Sequence, residues 1–138
     1  MMKSSLRRIP FVGAACAAAG FIFVDRSGKG LRETLAAAEK ILTGGMSLVV
    51  FPEGSRTPDG KIHRFKKGAY QIADDLSLPV VPLTIDGSYR VLSKNSKLIR
   101  PGKIVLTVHD PIFPQADGHY DMDALITDSY RVIEAALK

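Results

Sequence analysis

The segment at positions 51–56, Phe-Pro-Glu-Gly-Ser-Arg, combines residue types that can bind a phosphate group. Its proline and glycine favour a tight turn, and the Arg56 guanidinium can hold two phosphate oxygens at once beside the backbone N–H groups of that turn. The carboxylate of Glu53 can hold either Arg56 or a hydroxyl group of the ligand. The residue types alone allow a phosphate site at Glu53, Gly54, Ser55 and Arg56, but they favour a solvent-exposed turn with an ion pair.

Apolar runs predict the strands that position this segment. Residues 47–51 (SLVVF) are continuously apolar, as expected of a strand that is covered on both faces in a mostly parallel sheet. A second predicted strand, residues 21–24, ends at Asp25-Arg26, and a third, residues 80–85, ends at Asp86-Gly87-Ser88. Since ligands bind beyond the carboxyl ends of strands in such sheets, we expect the site at these ends.

Amphipathic spacing predicts helices between the strands. Leucine and alanine recur at spacings of four, three and four from Leu31 to Leu42, and Gly44-Gly45 ends that helix. Further helices are predicted over residues 67–76 and 122–137, the second with Asp121 as N-cap, and a further strand over residues 104–108. This alternation predicts an α/β fold, a mostly parallel sheet flanked by helices, in a single domain covering residues 1–138.

The charge is unevenly distributed and indicates an anionic partner. Residues 1–70 carry twelve Lys and Arg against five Asp and Glu, whereas residues 71–138 carry seven against nine. Phosphates and acidic lipids suit the basic half. Nucleic acid is not expected, because aromatic residues that stack on bases are not interleaved with the basic ones. No His, Cys or carboxylate cluster has metal-ligand spacing, so no metal is predicted.

Three blocks together resemble the glycerolipid acyltransferases, and the lysophosphatidate acyltransferases in particular. The family's Phe-Pro-Glu-Gly-Thr-Arg block is matched at positions 51–56, with Ser55 in place of threonine. An apolar strand closing on Asp-Arg stands at positions 20–26. The family's later proline-containing block is similar to residues 78–85, Leu-Pro-Val-Val-Pro-Leu-Thr-Ile.

The resemblance implies a glycerol-3-phosphate acyltransferase-like fold and an activity. An acyl group would pass from acyl-CoA or acyl carrier protein, as co-substrate rather than cofactor, to the free hydroxyl of lysophosphatidate, giving phosphatidate. By the resemblance, Arg26, Glu53 and Arg56 contact the glycerol phosphate, and Pro82 belongs to the acyl-donor side or the wall of the site. The resemblance also implies association with an anionic membrane surface on its cytoplasmic face.

One family block has no counterpart in the sequence. The family's base is the histidine of an Asn-His-x4-Asp block that precedes the Asp-Arg block, and none of His63, His109 and His119 is followed by aspartate at the fifth position. No catalytic residue is therefore assigned, and His63 is interpreted as an exposed loop residue. We expect that the chain lacks an N-terminal portion, and that a non-catalytic binder of phospholipid or acyl donor is the alternative function.

The first thirty residues allow a third interpretation. Lys3, Arg7 and Arg8 precede an uncharged stretch over residues 9–24, the outline of a signal peptide, and Cys16 would then be a lipid-anchored cysteine of an exported protein. Proline and glycine within that stretch favour instead a basic, partly apolar helix that packs on the domain or touches an anionic bilayer. Cys16 is then a small buried residue.

Overall fold

The computed structural model describes residues 2–3, 23–24, 31–96 and 98–138, and the chain divides into two compact units, Met1–Phe51 and Pro52–Lys138. In the first unit, strand β1 (Met2–Lys3) pairs in parallel with strand β2 (Phe23–Val24). Residues 23 and 24 thus confirm part of the strand predicted over residues 21–24. The predictions for Cys16 and Arg26 concern positions outside the described residues.

Helix α1 (Leu31–Thr43) confirms the first predicted helix and its end. The N–H of Gly45 donates to the Leu42 carbonyl at 3.0 Å, and the N–H of Met46 donates to the Ile41 carbonyl at 3.3 Å. Gly45 closes this turn with a φ of 81°, a left-handed value that glycine adopts without steric cost.

Residues 47–51, predicted as a strand, belong to none of the strands among the described residues, and the side chains of Val49 and Phe51 are 54% and 64% exposed. An apolar run indicates a tendency to be buried, but a strand also requires a neighbouring backbone in register. That neighbour is set by the tertiary fold and is not encoded in the run itself.

The second unit begins with a loop and a divided helix. The helix predicted over residues 67–76 is observed as a 3-10 turn (Lys67–Ala69) followed by helix α2 (Gln71–Asp75). Tyr70 lies between the two and is only 6% exposed. Gly68 is a poor helix former, so the chain forms a 3-10 turn here in place of an α-helix. This turn places the Tyr70 ring in the core.

The remaining elements are strand β3 (Leu83–Asp86), the short helix α3 (Ser88–Val91), strand β4 (Val105–Val108) and helix α4 (Met122–Ala135). Strands β3 and β4 confirm the two predicted strands in position, and they pair antiparallel, with Leu83 opposite Val108 and Asp86 opposite Val105. The described residues therefore do not confirm a mostly parallel sheet. The connection of residues 87–104 folds back on itself, which brings β4 alongside β3 in the opposite direction.

Helix α4 covers one face of this strand pair and forms the core of the second unit. Its N-cap is Asp121, as predicted, whose side chain accepts hydrogen bonds from the N–H groups of Asp123 and Ala124. The buried core consists of Phe65, Tyr70, Met122 and Leu125. The ring of Phe65 also packs edge-on against the ring of Tyr130 in α4, with 5.3 Å between the ring centroids. Phe65 thereby ties the end of the preceding loop to the helix.

The other face of the strand pair is apolar and exposed, with the side chains of Leu83, Ile85, Leu106 and Val108 on it. Within the described part of the chain, no helix has both the length and the apolar character needed to cross a membrane.

Candidate functional site

The predicted phosphate motif lies in a closed loop, residues 52–66. The backbone N–H of Lys66 donates to the carbonyl of Pro52 at 3.0 Å, which joins the two ends of the loop. Phe65, one residue earlier, is buried in the core. The loop is therefore held at its base by one backbone hydrogen bond and one aromatic side chain, while Ser55 and Arg56 are exposed to solvent.

Gly54 forms the turn that the sequence predicts. Its φ is 74°, in the left-handed region where an L residue pays a steric cost. A Cβ atom at this position would lie 2.9 Å from Nζ of Lys66, so the lysine ammonium sits directly over the glycine. Lys66 is one of four basic residues that follow the motif in the sequence, with Lys61, Arg64 and Lys67, and the structure brings its cationic group against the turn.

Glu53 and Arg56 contact different partners. Oε2 of Glu53 accepts a hydrogen bond from the backbone N–H of His63 at 3.0 Å. The Arg56 guanidinium donates one long hydrogen bond, 3.4 Å from Nη2, to the carbonyl of Lys94. The predicted alternative of a Glu53–Arg56 ion pair is wrong, since the ion pairs of the described residues join other partners. Among the described residues, most of the donors of Arg56 have no protein partner and can bind a ligand.

A hydrogen-bond network that sequence reasoning missed stabilises the same loop. Oδ1 of Asp59 accepts hydrogen bonds from the hydroxyl of Thr57 at 2.8 Å and from the N–H of Lys61 at 3.1 Å, and it lies 2.8 Å from Nε2 of His63. The hydroxyl of Thr57 accepts in turn from the N–H of Gly60. The pKa of the Asp59 carboxyl is held well below its ordinary value of 3.8 by hydrogen bonds. The bond from His63 has the largest effect, followed by those from Thr57 and Lys61.

This network makes His63 more than an isolated loop residue. Its ring pairs with Asp59 and its backbone N–H holds Glu53, so one residue connects the network to the predicted site. An imidazole beside a carboxylate is also the pairing used in general-base catalysis, although both side chains here are about half exposed to water. A Thr-x-Asp-Gly turn sequence was the signal available in advance, because short polar side chains bond to nearby backbone in turns.

The electrostatic influence of Glu53 reaches helix α4. The pKa of the Tyr130 hydroxyl is raised, and burial is the largest cause. A hydrogen bond with Glu134 and the charge of Glu134 follow, and the charge of Glu53 contributes least. The hydroxyl of Tyr130 donates to Glu134 at 3.2 Å. The carboxylate of the motif therefore lies within electrostatic range of the ring that packs on Phe65.

Pro82 is buried immediately before strand β3, and its carbonyl accepts a hydrogen bond from the N–H of His109 at 3.1 Å. Its role as a site wall stays a prediction, as does the role of Arg26, which lies outside the described residues. Across residues 31–96 and 98–138 and the two short strands, no three His, Cys, Asp or Glu side chains form a group suited to a metal ion.

Comparison with known proteins identifies the family of this chain. The model of the acyltransferase family matches residues 1–86, so the chain belongs to that family. Among its relatives is the chloroplastic 1-acyl-sn-glycerol-3-phosphate acyltransferase BAT2 of Brassica napus, 31% identical over 113 residues, which cover 80% of this chain and 33% of the relative. The mouse 1-acyl-sn-glycerol-3-phosphate acyltransferase alpha is 32% identical over 122 residues, 86% of this chain and 42% of the relative.

A solved structure is similar as well. The crystal structure of the 1-acyl-sn-glycerophosphate acyltransferase PlsC from Thermotoga maritima superposes with a TM-score of 0.81 at 35% sequence identity, covering 97% of this chain and 53% of PlsC. This likeness supports the acyltransferase fold predicted from the sequence. The chain spans about half the length of PlsC and between 33% and 42% of the lengths of the two relatives.

Proposed function

We propose that this chain forms the acceptor-binding part of a 1-acyl-sn-glycerol-3-phosphate acyltransferase. The observation that carries the proposal is the turn at Gly54, where the ammonium of Lys66 lies against a backbone with a φ of 74°, two residues before the exposed side chain of Arg56. A tight turn followed by an exposed guanidinium and contacted by an ammonium suits the phosphate of lysophosphatidate. The names of the relatives state the same acceptor class.

Each group of the loop has a role in this proposal. Arg56 binds the phosphate with its planar fork, and Lys66 adds a point charge. Glu53, held by the N–H of His63, accepts a hydrogen bond from the glycerol part of the acceptor. Ser55 is exposed and supplies a hydroxyl next to the phosphate. Arg26 is proposed as a further phosphate ligand on the resemblance of its Asp-Arg block alone.

The proposed reaction is an acyl transfer that needs no cofactor. The free hydroxyl of the acceptor attacks the thioester carbonyl of acyl-CoA or acyl carrier protein, a C–O ester bond forms, the C–S bond breaks and the thiol leaves with the proton. Pro82 is proposed as part of the wall on the donor side. The mostly parallel sheet predicted for the fold is likewise a proposal, supported by the likeness to PlsC.

Association with the cytoplasmic face of an anionic membrane completes the proposal. The excess of twelve Lys and Arg over five Asp and Glu in residues 1–70 supports it, because basic residues attract anionic lipid headgroups. The acceptor and the product are both membrane lipids, so an enzyme at that surface meets its substrate in place.

The test measures acyl transfer by a polypeptide that is expressed from the gene together with any in-frame coding sequence upstream of Met1. Radiolabelled lysophosphatidate is incubated with acyl-CoA or with acyl carrier protein, and phosphatidate is separated by chromatography. Phosphatidate formation that requires Arg56 supports the proposal. Binding of lysophosphatidate without any turnover, in a polypeptide that has no Asn-His-x4-Asp block, favours the alternative of a non-catalytic lipid-binding fragment.

A further inference from the structure

The connection between strands β3 and β4 exposes two neighbouring apolar side chains at its outer end. Leu98 and Ile99 are each 76% exposed, more than any other large apolar residue among those the structure describes. Two adjacent aliphatic side chains in water are unfavourable, since burying such a side chain is a main source of stability. Their exposure calls for a partner with an apolar interior.

Basic residues surround this apolar pair. Residues 86–103 carry five Lys and Arg against one Asp, although the rest of the acidic half, residues 71–138, carries two against eight. The five are Arg90, Lys94, Lys97, Arg100 and Lys103, of which Lys97 lies outside the described residues. An apolar tip within a basic surround is the composition of a segment that lies at the surface of an anionic bilayer.

The base of the connection is braced, so the tip is held in position. The N–H of Arg100 donates to the carbonyl of Val91 at 2.9 Å, which closes the segment between them. A Cβ atom at Gly102 would lie 2.8 Å from Cγ2 of Val91, and Gly87, at a φ of 85°, lies directly against the carbonyl of Lys103. Close backbone contacts of this kind leave little freedom at the base.

A cavity of about 270 Å³ lies beneath the tip. Its lining includes the guanidinium-bearing residues Arg90 and Arg100, the hydroxyl-bearing residues Ser93 and Ser96, and Leu98 itself. Nη2 of Arg90 lies 3.3 Å from a carboxylate oxygen of Asp86, and its Nη1 is 3.4 Å from the carbonyl of Lys138. The hydroxyl of Ser96 already donates to the carbonyl of Leu98 at 3.0 Å, so the two arginines are the residues of this lining that suit one phosphate group.

We propose that residues 92–96 and 98–103 form a membrane-docking loop. Leu98 and Ile99 enter the boundary between headgroups and acyl chains, Lys94, Arg100 and Lys103 stay among the headgroups, and the cavity lined by Arg90 and Arg100 takes the phosphate of one anionic lipid. The inference rests on the membrane association proposed above and names the surface that makes it.

The position of this loop next to the phosphate motif favours a membrane over a soluble protein as the occupant. The guanidinium of Arg56 donates to the backbone carbonyl of Lys94, so the loop and the acceptor site are in direct contact. A loop that enters the bilayer would thus hold the acceptor site at the level of the headgroups, where a lysophospholipid presents its phosphate.

The first experiment measures binding of the 138-residue chain to vesicles of phosphatidylcholine, with and without a quarter of phosphatidylglycerol, by sedimentation. The double variant Leu98→Ser/Ile99→Ser is expected to lose about tenfold or more in affinity for the anionic vesicles, because the apolar contact is removed. The matched control Leu106→Ser removes a leucine that is 59% exposed on the strand pair, and it should bind as the unchanged chain does. Equal binding by the double variant, or a loss of the same size in the control, overturns the proposal.

The second experiment tests the charges. The variant Lys94→Glu/Lys103→Glu should bind anionic vesicles less tightly and show a weaker dependence on salt, while binding to pure phosphatidylcholine changes little. A control with Arg131→Glu and Lys138→Glu makes the same change of charge elsewhere. Loss of equal size in both variants would mean that net charge alone, and not this loop, governs the binding, and would overturn the proposal.

The third experiment locates the tip. The chain contains no tryptophan, so the single substitution Leu98→Trp provides a reporter without background. Its emission should move to shorter wavelength on addition of anionic vesicles and be quenched by brominated lipid chains, whereas Phe113→Trp, at an exposed position on another segment, should show neither change. A shift at position 98 that depends on protein concentration in the absence of vesicles would identify a second copy of the chain as the occupant and overturn the proposal.

A final measurement separates this inference from the proposed function. Binding of short-chain lysophosphatidate, present as single molecules in solution, is compared for the double variant and for Arg56→Ala. Retained binding in the double variant together with lost vesicle docking supports the loop as the membrane contact. Vesicle docking that survives in Arg56→Ala while lysophosphatidate binding is unchanged would refute the acceptor site and leave the docking loop standing.

Discussion

Replacing Gly54 by alanine is expected to weaken lysophosphatidate binding by an amount that the structure sets. The φ of 74° at this position costs an L residue about 1–2 kcal/mol. That cost corresponds to a factor of roughly 5–30 in the fraction of molecules that keep the turn. The added methyl group would also lie 2.9 Å from Nζ of Lys66, so the end of this flexible side chain must shift. We therefore expect a loss of affinity of up to that factor.

Calorimetric titration of the 138-residue chain with short-chain lysophosphatidate measures this loss. The matched control is Gly45→Ala, because Gly45 has a similar φ of 81° and no atom within 4 Å of an added Cβ. It introduces the same backbone strain at the end of helix α1 without moving a cation. Circular dichroism shows whether both variants are folded.

The reasoning is refuted by either of two results. One is unchanged affinity of the Gly54→Ala variant for lysophosphatidate. The other is an equal loss for monoacylglycerol, which has the same glycerol and acyl chain without the phosphate. In both cases the phosphate does not bind at the turn, and the assignment of residues 53–56 fails.

Four further outcomes are expected. Arg56→Ala should lower the affinity for lysophosphatidate by about tenfold or more, since hydrogen bonds to charged groups contribute about 1.5–3 kcal/mol each, and Arg64→Ala, in the same loop, should not. In a carboxyl NMR titration Asp59 should titrate well below 3.8; because its folded pKa is lowered, the stability it contributes is present above the unfolded pKa and is lost as the pH falls through the folded value. Leu125→Ala, at a core position that is 2% exposed, should lower the free energy of unfolding by about 2–5 kcal/mol in urea titrations. The 138-residue chain should turn over about 10²–10⁴ times more slowly than a polypeptide that includes an Asn-His-x4-Asp block, and His63→Ala should not change its rate.

Each of these outcomes has a result that contradicts it. Equal losses from Arg56→Ala and Arg64→Ala would indicate general attraction to a basic loop. An Asp59 that titrates near 3.8 would mean that the network around it does not form. A loss below about 1 kcal/mol for Leu125→Ala would place that residue outside a well-packed core. Full turnover by the 138-residue chain, abolished by His63→Ala, would identify His63 as the base and its pairing with Asp59 as catalytic.

Those parts of the fold that depend on local chemistry were predictable from the sequence. Helix α4 and its N-cap Asp121 were predicted because an amphipathic period and a capping carboxylate are both read within a few residues. Helix α1 and its end at Gly44-Gly45 were predicted on the same grounds. Strands β3 and β4 were placed to within a few residues, but their antiparallel pairing was not, because direction depends on how the connection of residues 87–104 folds back.

The candidate site shows the same division. The turn at Gly54 was predicted from the motif, since proline fixes its φ and glycine permits the positive φ that the turn needs. The sequence left open whether Glu53 pairs with Arg56 or with the ligand, because three residues of separation do not determine where either side chain points. The contact of His63 with Asp59 was missed, since it requires the loop to fold back over four residues that have no helical period.

The position of Lys66 explains why the motif alone is an incomplete description of the site. The sequence offers four basic residues after the turn and gives no ground for choosing between them. In the structure the choice follows from the residue before Lys66, since Phe65 is buried against Tyr130 of helix α4. This packing fixes the backbone of Lys66, whose N–H donates to the carbonyl of Pro52. The same arrangement carries the ammonium over Gly54. The ammonium at the Gly54 turn is thus positioned by the hydrophobic core, through the buried ring of Phe65.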